Sequence, residues 1–287
     1  MRRRKFITGL AAAGIAAQTL PAQTPVRKGR MKQSAMRVNF DPKLSLEDCY
    51  RIAAEAGCKG FDMAGNNDWP VLKKYGLICS ISGTGGVTFE DGLIRPEKHA
   101  ALIKSVGAQL DLCAANGVPS LITVGGMRKG MSNEQGWDNA SKFLNEIKKQ
   151  AEDKGVTICL EVMNTRYTPV ELGRVDQICD HMSFGVELCK RVNSPRFKLL
   201  CDIYHVQIMD GNVVANIRDN IQYIGHFHTG GVPGRHEIDS TQELNYRYIA
   251  QSIADLGFTG FIGHEYRLTP GKDSLKELTN AVSIMDA

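Results

Sequence analysis

Eight short apolar runs, separated by longer segments of helical periodicity, constrain the fold of this 287-residue chain more than any other feature. The runs lie at 36–40, 60–63, 76–82, 120–124, 156–162, 197–203, 223–228 and 261–266. Runs of that length read as buried strands. Between them, 45–56 opens on Ser45, a side chain suited to cap a helix N-terminus, and closes at Gly57. The segment 96–116 carries Pro96 in its first turn and stops at Gly117, 137–154 stops at Gly155, 184–192 precedes the sixth run, and 244–256 stops at Gly257. Strand and helix in alternation imply a parallel sheet with helices outside it. Eight such units favour a single closed (β/α)8 barrel, the α/β TIM-barrel architecture, over 36–287, a length near the usual size of about 250 residues. The turn-rich stretch at 66–70 predicts a reduced second unit. No G-x-G-x-x-G follows a strand, which weighs against a dinucleotide fold.

Residues 1–30 stand apart as a leader and linker. Arg2-Arg3-Arg4-Lys5 is followed by a weakly apolar run over 9–17, then small residues and Pro21. That is the layout of a secretory signal; a basic tail is the alternative. Arg3-Arg4-Lys5-Phe6-Ile7 resembles a twin-arginine export motif, which predicts a periplasmic or exported protein. The apolar run is too short for a stable membrane span, which needs about 20 residues. The formal net charge is +4, and much of the excess lies in the leader and in Arg27, Lys28, Arg30 and Lys32. The remainder is near neutral, which argues against a nucleic-acid partner. None of the eight cysteines forms a C-x-x-C pair. Cys79, Cys159 and Cys201 sit inside apolar runs and read as small buried hydrophobes rather than disulfide partners.

A barrel of this kind places its chemistry at the carboxyl ends of the strands. There the last four runs present Glu161, Asp202, His228 and Glu265. A carboxylate in a core strand is costly unless it is paired or holds a metal. A single one would read as a buried ion pair. Three acids on neighbouring strands repel unless a cation neutralises them, and three oxygen ligands with one nitrogen suit one divalent ion, Mn2+ or Mg2+ before Co2+ or Zn2+. A structural polar network is the competing reading.

These residues carry a resemblance. Leu160-Glu161-x-x-Asn164, Asp202-Ile203-Tyr204-His205, the stretch from His226 to Glu237, and Gly263-His264-Glu265-Tyr266 resemble the xylose isomerase-like superfamily of sugar phosphate isomerases and epimerases, and hydroxypyruvate isomerases most closely. The likeness runs from about Met36 to the end. It implies that Glu161, Asp202, His228 and Glu265 bind one divalent ion. It also implies that Glu161 and Glu265 flank the substrate and shuttle a proton beside its carbonyl, the cation acting as Lewis acid and stabilising an enediolate. His205 would contact a substrate oxygen, Arg235 would offer its fork of donors to the substrate's carboxylate or hydroxyl end, and Asn164, counted with the substrate-binding residues, would orient Glu161. The family shares His236 and Glu237, and His236 is counted with the substrate-binding residues.

His at position 228 is the epimerase-like choice, since some hydroxypyruvate isomerases carry Gln there. Asp62 stands where relatives often place Glu. Strand alternation turns His264 away from the interior, marking it as structural. His99 reads as an exposed or capping residue, and Trp69 as a lining of the site's mouth or a packed anchor. The expected activity is isomerisation of a small hydroxy-keto acid or sugar. Ketose 3-epimerisation, or a lyase acting on 3-keto-glycosides, would use the same residues. Superfamily nucleases need additional histidines on the early strands, and strands one to four end in Phe40, Met63, Ser82 and Val124. A non-catalytic sugar-binding protein has no need of paired glutamates at a metal. Oligomerisation is left open.

Overall fold

The computed structural model describes residues 28–167 and 176–287; the leader at 1–27 and its export motif lie outside the described residues. Eight strands form the sheet: β1 (Lys32–Ala35), β2 (Gly60–Phe61), β3 (Ile78–Cys79), β4 (Ser120–Thr123), β5 (Thr157–Glu161), β6 (Phe197–Asp202), β7 (Ile224–Thr229) and β8 (Phe261–His264). Their order is β3-β2-β1-β8-β7-β6-β5-β4, and every neighbouring pair is parallel. Ser82 closes the ring. It bridges Leu121, donates its N–H to the Ser120 carbonyl at 2.8 Å and accepts the Ile122 N–H at 3.0 Å. This is the TIM barrel the alternation predicts.

The helices are α1 (Leu46–Ala56), α2 (Trp69–Lys74), α3 (Pro96–Asn116), α4 (Asn133–Lys154), α5 (Met182–Val192), α6 (Ile203–Met209), α7 (Val213–Asn220), α8 (Tyr246–Asp255) and α9 (Ser274–Ile284). Ser45 caps α1 by accepting the Asp48 N–H at 3.1 Å. Gly57, at φ 97°, ends that helix in the left-handed conformation a side chain disfavours. Helix α4 starts four residues ahead of position 137, because Ser132 and Gln135 form a reciprocal cap. The second unit is reduced, as expected, to a 3-10 turn and the six-residue α2.

The first strand lies earlier than the apolar run at 36–40. Arg37–Asn39 is a 3-10 turn, fixed by the Asn39 side chain accepting the Met36 N–H at 2.7 Å. The strand itself reads Lys-Gln-Ser-Ala, too polar for an apolar-run criterion. Its buried Gln33 is satisfied by donating to the Val282 carbonyl at 3.1 Å and by meeting His264 Nε2 at 2.9 Å. Inside the ring, Ile81, Ile122, Cys159 and Leu200 form an apolar plug below the polar strand ends. Cys79, Cys159 and Cys201 are buried free thiols, as their apolar surroundings indicated. Trp69 is a packed anchor, donating its indole N–H to the Ala64 carbonyl at 3.1 Å.

Candidate metal centre

The four residues singled out at the strand ends converge. Glu161 closes β5, Asp202 closes β6, His228 sits near the end of β7, and Glu265 follows β8 directly. Asp202 and His228 are register partners, so their side chains emerge at one height. One ligand atom from each of the four lies within 4.8 Å of all the others. Asp202 divides its carboxylate: Oδ1 caps α6 by accepting the Tyr204 N–H at 2.9 Å, and Oδ2 faces the cluster.

Charge inside this pocket is poorly balanced. Burial first, and then the nearby Glu265 carboxylate, push Glu161 up to about 8. Burial works the same way on Glu265, but Arg235 and His228 outweigh it and hold the acid well below the usual carboxylate range. His228 is disfavoured as a cation by burial, yet Glu265 and Asp62 raise it well above the ordinary imidazole value. Arg235 Nη2 reaches Asp202 Oδ2 at 2.5 Å and Glu265 Oε2 at 2.6 Å. His228 Nδ1 lies 2.5 Å from Glu265 Oε2, yet both atoms are buried without a partner in hydrogen-bonding geometry. Four potential ligand atoms within 4.8 Å of one another, with three acids sharing Arg235 and His228, fit a divalent cation that would replace the proton on His228 Nδ1. Glu161, Asp202, His228 Nδ1 and Glu265 would hold it.

Three other predicted residues surround the cluster. His205, on α6, is buried; burial pulls its ring down to about 4 and keeps it neutral. Asn164 donates to His205 Nδ1 at 2.6 Å while its oxygen accepts the Tyr167 N–H at 2.7 Å. The partner of Asn164 is therefore the His205 ring, not Glu161: the loop after β5 turns the amide towards α6. His205 Nε2 faces Arg235 Nη1 at 3.1 Å, with Asp202 Oδ2 (3.5 Å) and Glu161 Oε1 (3.9 Å) beside it, so a donor stands at each nitrogen of the neutral ring. Arg235 stacks its guanidinium over the Tyr204 ring at 4.8 Å. Its φ of 57° is left-handed, strain held by its N–H donating to the Gly231 carbonyl at 2.7 Å. His236 stands apart from the cluster: it is exposed, with Nδ1 2.9 Å from the Arg267 carbonyl. His264 packs outside the cluster between Thr229 Oγ1 (3.0 Å) and Gln33 Oε1 (2.9 Å). His99 is half-buried against the Leu93 carbonyl at 2.9 Å, away from the site.

A second buried group escaped the sequence reading. Asp62, one residue past β2, meets His226 Nε2 at 3.0 Å and His228 Nε2 at 3.2 Å, and accepts the Ser80 hydroxyl on its other oxygen. A period-2 signal pointed there, because His226 and His228 share a face of β7.

Comparison with known proteins agrees with this architecture. A family model described as a xylose isomerase-like TIM barrel matches residues 50–282. A 2-oxo-tetronate isomerase of Cupriavidus necator is 40% identical over 119 residues, 41% of this chain and 43% of that protein, so the match spans less than half of that relative. A putative hydroxypyruvate isomerase of Mus musculus is 28% identical over 258 residues, 82% of this chain and 87% of that protein. The crystal structure of an AP endonuclease, family 2, from Brucella melitensis superposes with a TM-score of 0.73 at 24% identity, covering 86% of this chain and 97% of that one. That of a 3-keto-D-glucoside 4-epimerase from E. coli gives 0.72 at 17% identity, covering 89% and 98%. At such identities the two structures speak for the fold alone. Taken with the family model's span, the barrel and its strand-end acids place the chain in the xylose isomerase-like TIM barrel family.

Proposed function

We propose that this protein is a divalent-metal-dependent isomerase of a small hydroxy-keto acid or sugar, of the hydroxypyruvate isomerase kind, that moves a proton between two neighbouring carbons. The observation that carries this reading is the meeting of Glu161 and Glu265, from β5 and from the end of β8, at a common centre with Asp202 and His228. The named relatives, isomerases of 2-oxo-tetronate and of hydroxypyruvate, support the same class.

A bound divalent cation supplies Lewis acidity to the substrate's carbonyl and adjacent hydroxyl oxygens. The rest falls to the chain. One glutamate removes the proton from the hydroxyl-bearing carbon beside the carbonyl through its free oxygen, the other returns a proton to the carbonyl carbon, and the hydroxyl proton passes to the former carbonyl oxygen. His205, held between Asn164 and Arg235 with Nε2 towards the cluster, contacts a substrate oxygen. Arg235, held on the face of Tyr204, presents its fork to the carboxylate or hydroxyl end. Return of the proton to the opposite face of the same carbon would instead make a ketose 3-epimerase, and expulsion of a glycosyl oxygen would make a lyase on 3-keto-glycosides. His228 in the ligand set favours the epimerase variant as second reading.

The test is solvent deuterium incorporation across hydroxypyruvate, a panel of ketoses and 3-keto-glycosides, using the Mn2+-loaded protein. Deuterium at the carbon beside the carbonyl, lost in Glu161→Gln and Glu265→Gln, supports proton transfer. No incorporation with any of these compounds rejects it.

A further inference from the structure

We infer that Asp62 is a positioning residue for the metal centre: its carboxylate takes the Nε2–H of His228 and so dedicates Nδ1 of that ring to the cation. The inference rests on the metal-centre reading above. The geometry is specific. Asp62 Oδ2 lies 3.2 Å from His228 Nε2, while the same ring's Nδ1 points the other way, 2.5 Å from Glu265 Oε2. Both nitrogens face a carboxylate, which only accepts; a divalent cation seated beside Glu265 takes the place of a proton on Nδ1, which leaves Nε2, facing Asp62, as the protonated one. An imidazole whose far nitrogen donates to a carboxylate is both oriented and a stronger ligand at the near one.

Two independent features show that the contact is built into the barrel. Asp62 reaches His228 across β1 and β8. The register partner of His228 on β8 is Gly263, and a Cβ there would fall 2.0 Å from Asp62 Oδ2 and 2.9 Å from His228 Cδ2. On the other flank, a Cβ at Gly60 would fall 2.6 Å from Ser80 Oγ, the hydroxyl that donates to Asp62 Oδ1. Two strand glycines thus clear the space that the carboxylate and its hydroxyl partner occupy, although glycine weakens a strand interior. His226 completes the arrangement, its Nε2 3.0 Å from Asp62 Oδ2, so both carboxylate oxygens are engaged. Asp62, His226 and His228 also lie close enough to hold an ion of their own, and the number of ions bound per chain separates that arrangement from one of shared protons.

The experiment uses the full chain loaded with Zn2+, a diamagnetic probe, with 15N-labelled histidine. Long-range 1H–15N correlation is expected to show His228 metal-bound at Nδ1 and protonated at Nε2. Calorimetric titration of the metal-free chain is expected to give one Zn2+ per chain, with Asp62→Asn, which preserves volume, binding 10–100-fold more weakly, the usual loss for such partners. A ligating Nε2, two Zn2+ per chain, or wild-type affinity in a folded Asp62→Asn variant each overturns the inference while leaving the metal centre standing. Failure of the wild-type chain to bind Zn2+ at all overturns both. The nitrogen assignment needs no variant, so it decides the matter even if Asp62→Asn does not fold.

Discussion

Glu237 shows how far a single buried carboxylate of this barrel depends on its surroundings. Thr269 donates to it from both N–H and hydroxyl at 2.7 Å, and Lys272 lies 3.3 Å away. Burial alone would raise its pKa, but these donors outweigh it and hold the group below its ordinary value. The stabilisation is therefore fully present above the unfolded value of about 4.3 and disappears as pH falls through the lower folded value. Glu237→Gln is expected to cost about 1–3 kcal/mol at pH 7. The gap from the wild type in urea midpoints should close below about pH 4; a gap independent of pH would refute the charge argument. At the reacting centre, Glu161→Gln and Glu265→Gln should each lower kcat at least about 100-fold with the fold intact by circular dichroism. Unchanged turnover in both rejects the two-glutamate mechanism. The centre itself was legible because acids in apolar strands have few other uses. Asp62 was not, since its worth lies in two imidazoles three strands away in the ring, and Asn164 was assigned the wrong neighbour because a loop, unlike a strand, does not declare where its side chains turn.

Among the elements, the connection after β7 carries the most function with the least regular structure. Tyr246, at the start of α8, pins it: the phenol donates to the Gly230 carbonyl at 2.8 Å and accepts the Gly230 N–H at 3.1 Å. Both Gly230 and Tyr246 are buried, so Tyr246→Phe leaves two backbone groups without partners. A loss of about 1–3 kcal/mol in equilibrium unfolding is expected, accompanied by a raised KM, since Arg235 hangs from the same loop. A Tyr246→Phe protein with wild-type stability would show that water replaces the phenol. Strands and capped helices were readable where patterning was strong, as at α1 and α3. Strand β1 was hidden by a buried glutamine that only its distant partners satisfy, and α6, α7 and α9 went unread. Of these, α6 begins inside what looked like a continuing strand, where Asp202 turns from ladder to cap.

At the scale of the whole molecule, the four proposed ligands come from four consecutive units, so a bound cation would tie the C-terminal half of the barrel to one point. A cation binding only the folded chain at 100 times its dissociation constant adds about 2.7 kcal/mol. For a chain of this size that is roughly 5–10 °C in Tm. Calorimetry with Mn2+ and then with excess chelator should show the rise and its reversal; a Tm indifferent to both speaks against the centre. The two halves also differ in how they are joined. Among the described residues, the ring is closed between β3 and β4 by Ser82 alone, through the hydrogen bonds to Ser120 and from Ile122. A hoop riveted so lightly at one place should part there first. In hydrogen exchange the Ser82 and Ile122 amides are expected to trade their protons ahead of those of β6 and β7, so that the wall opposite the ligands can breathe while the grip on the ion stays shut.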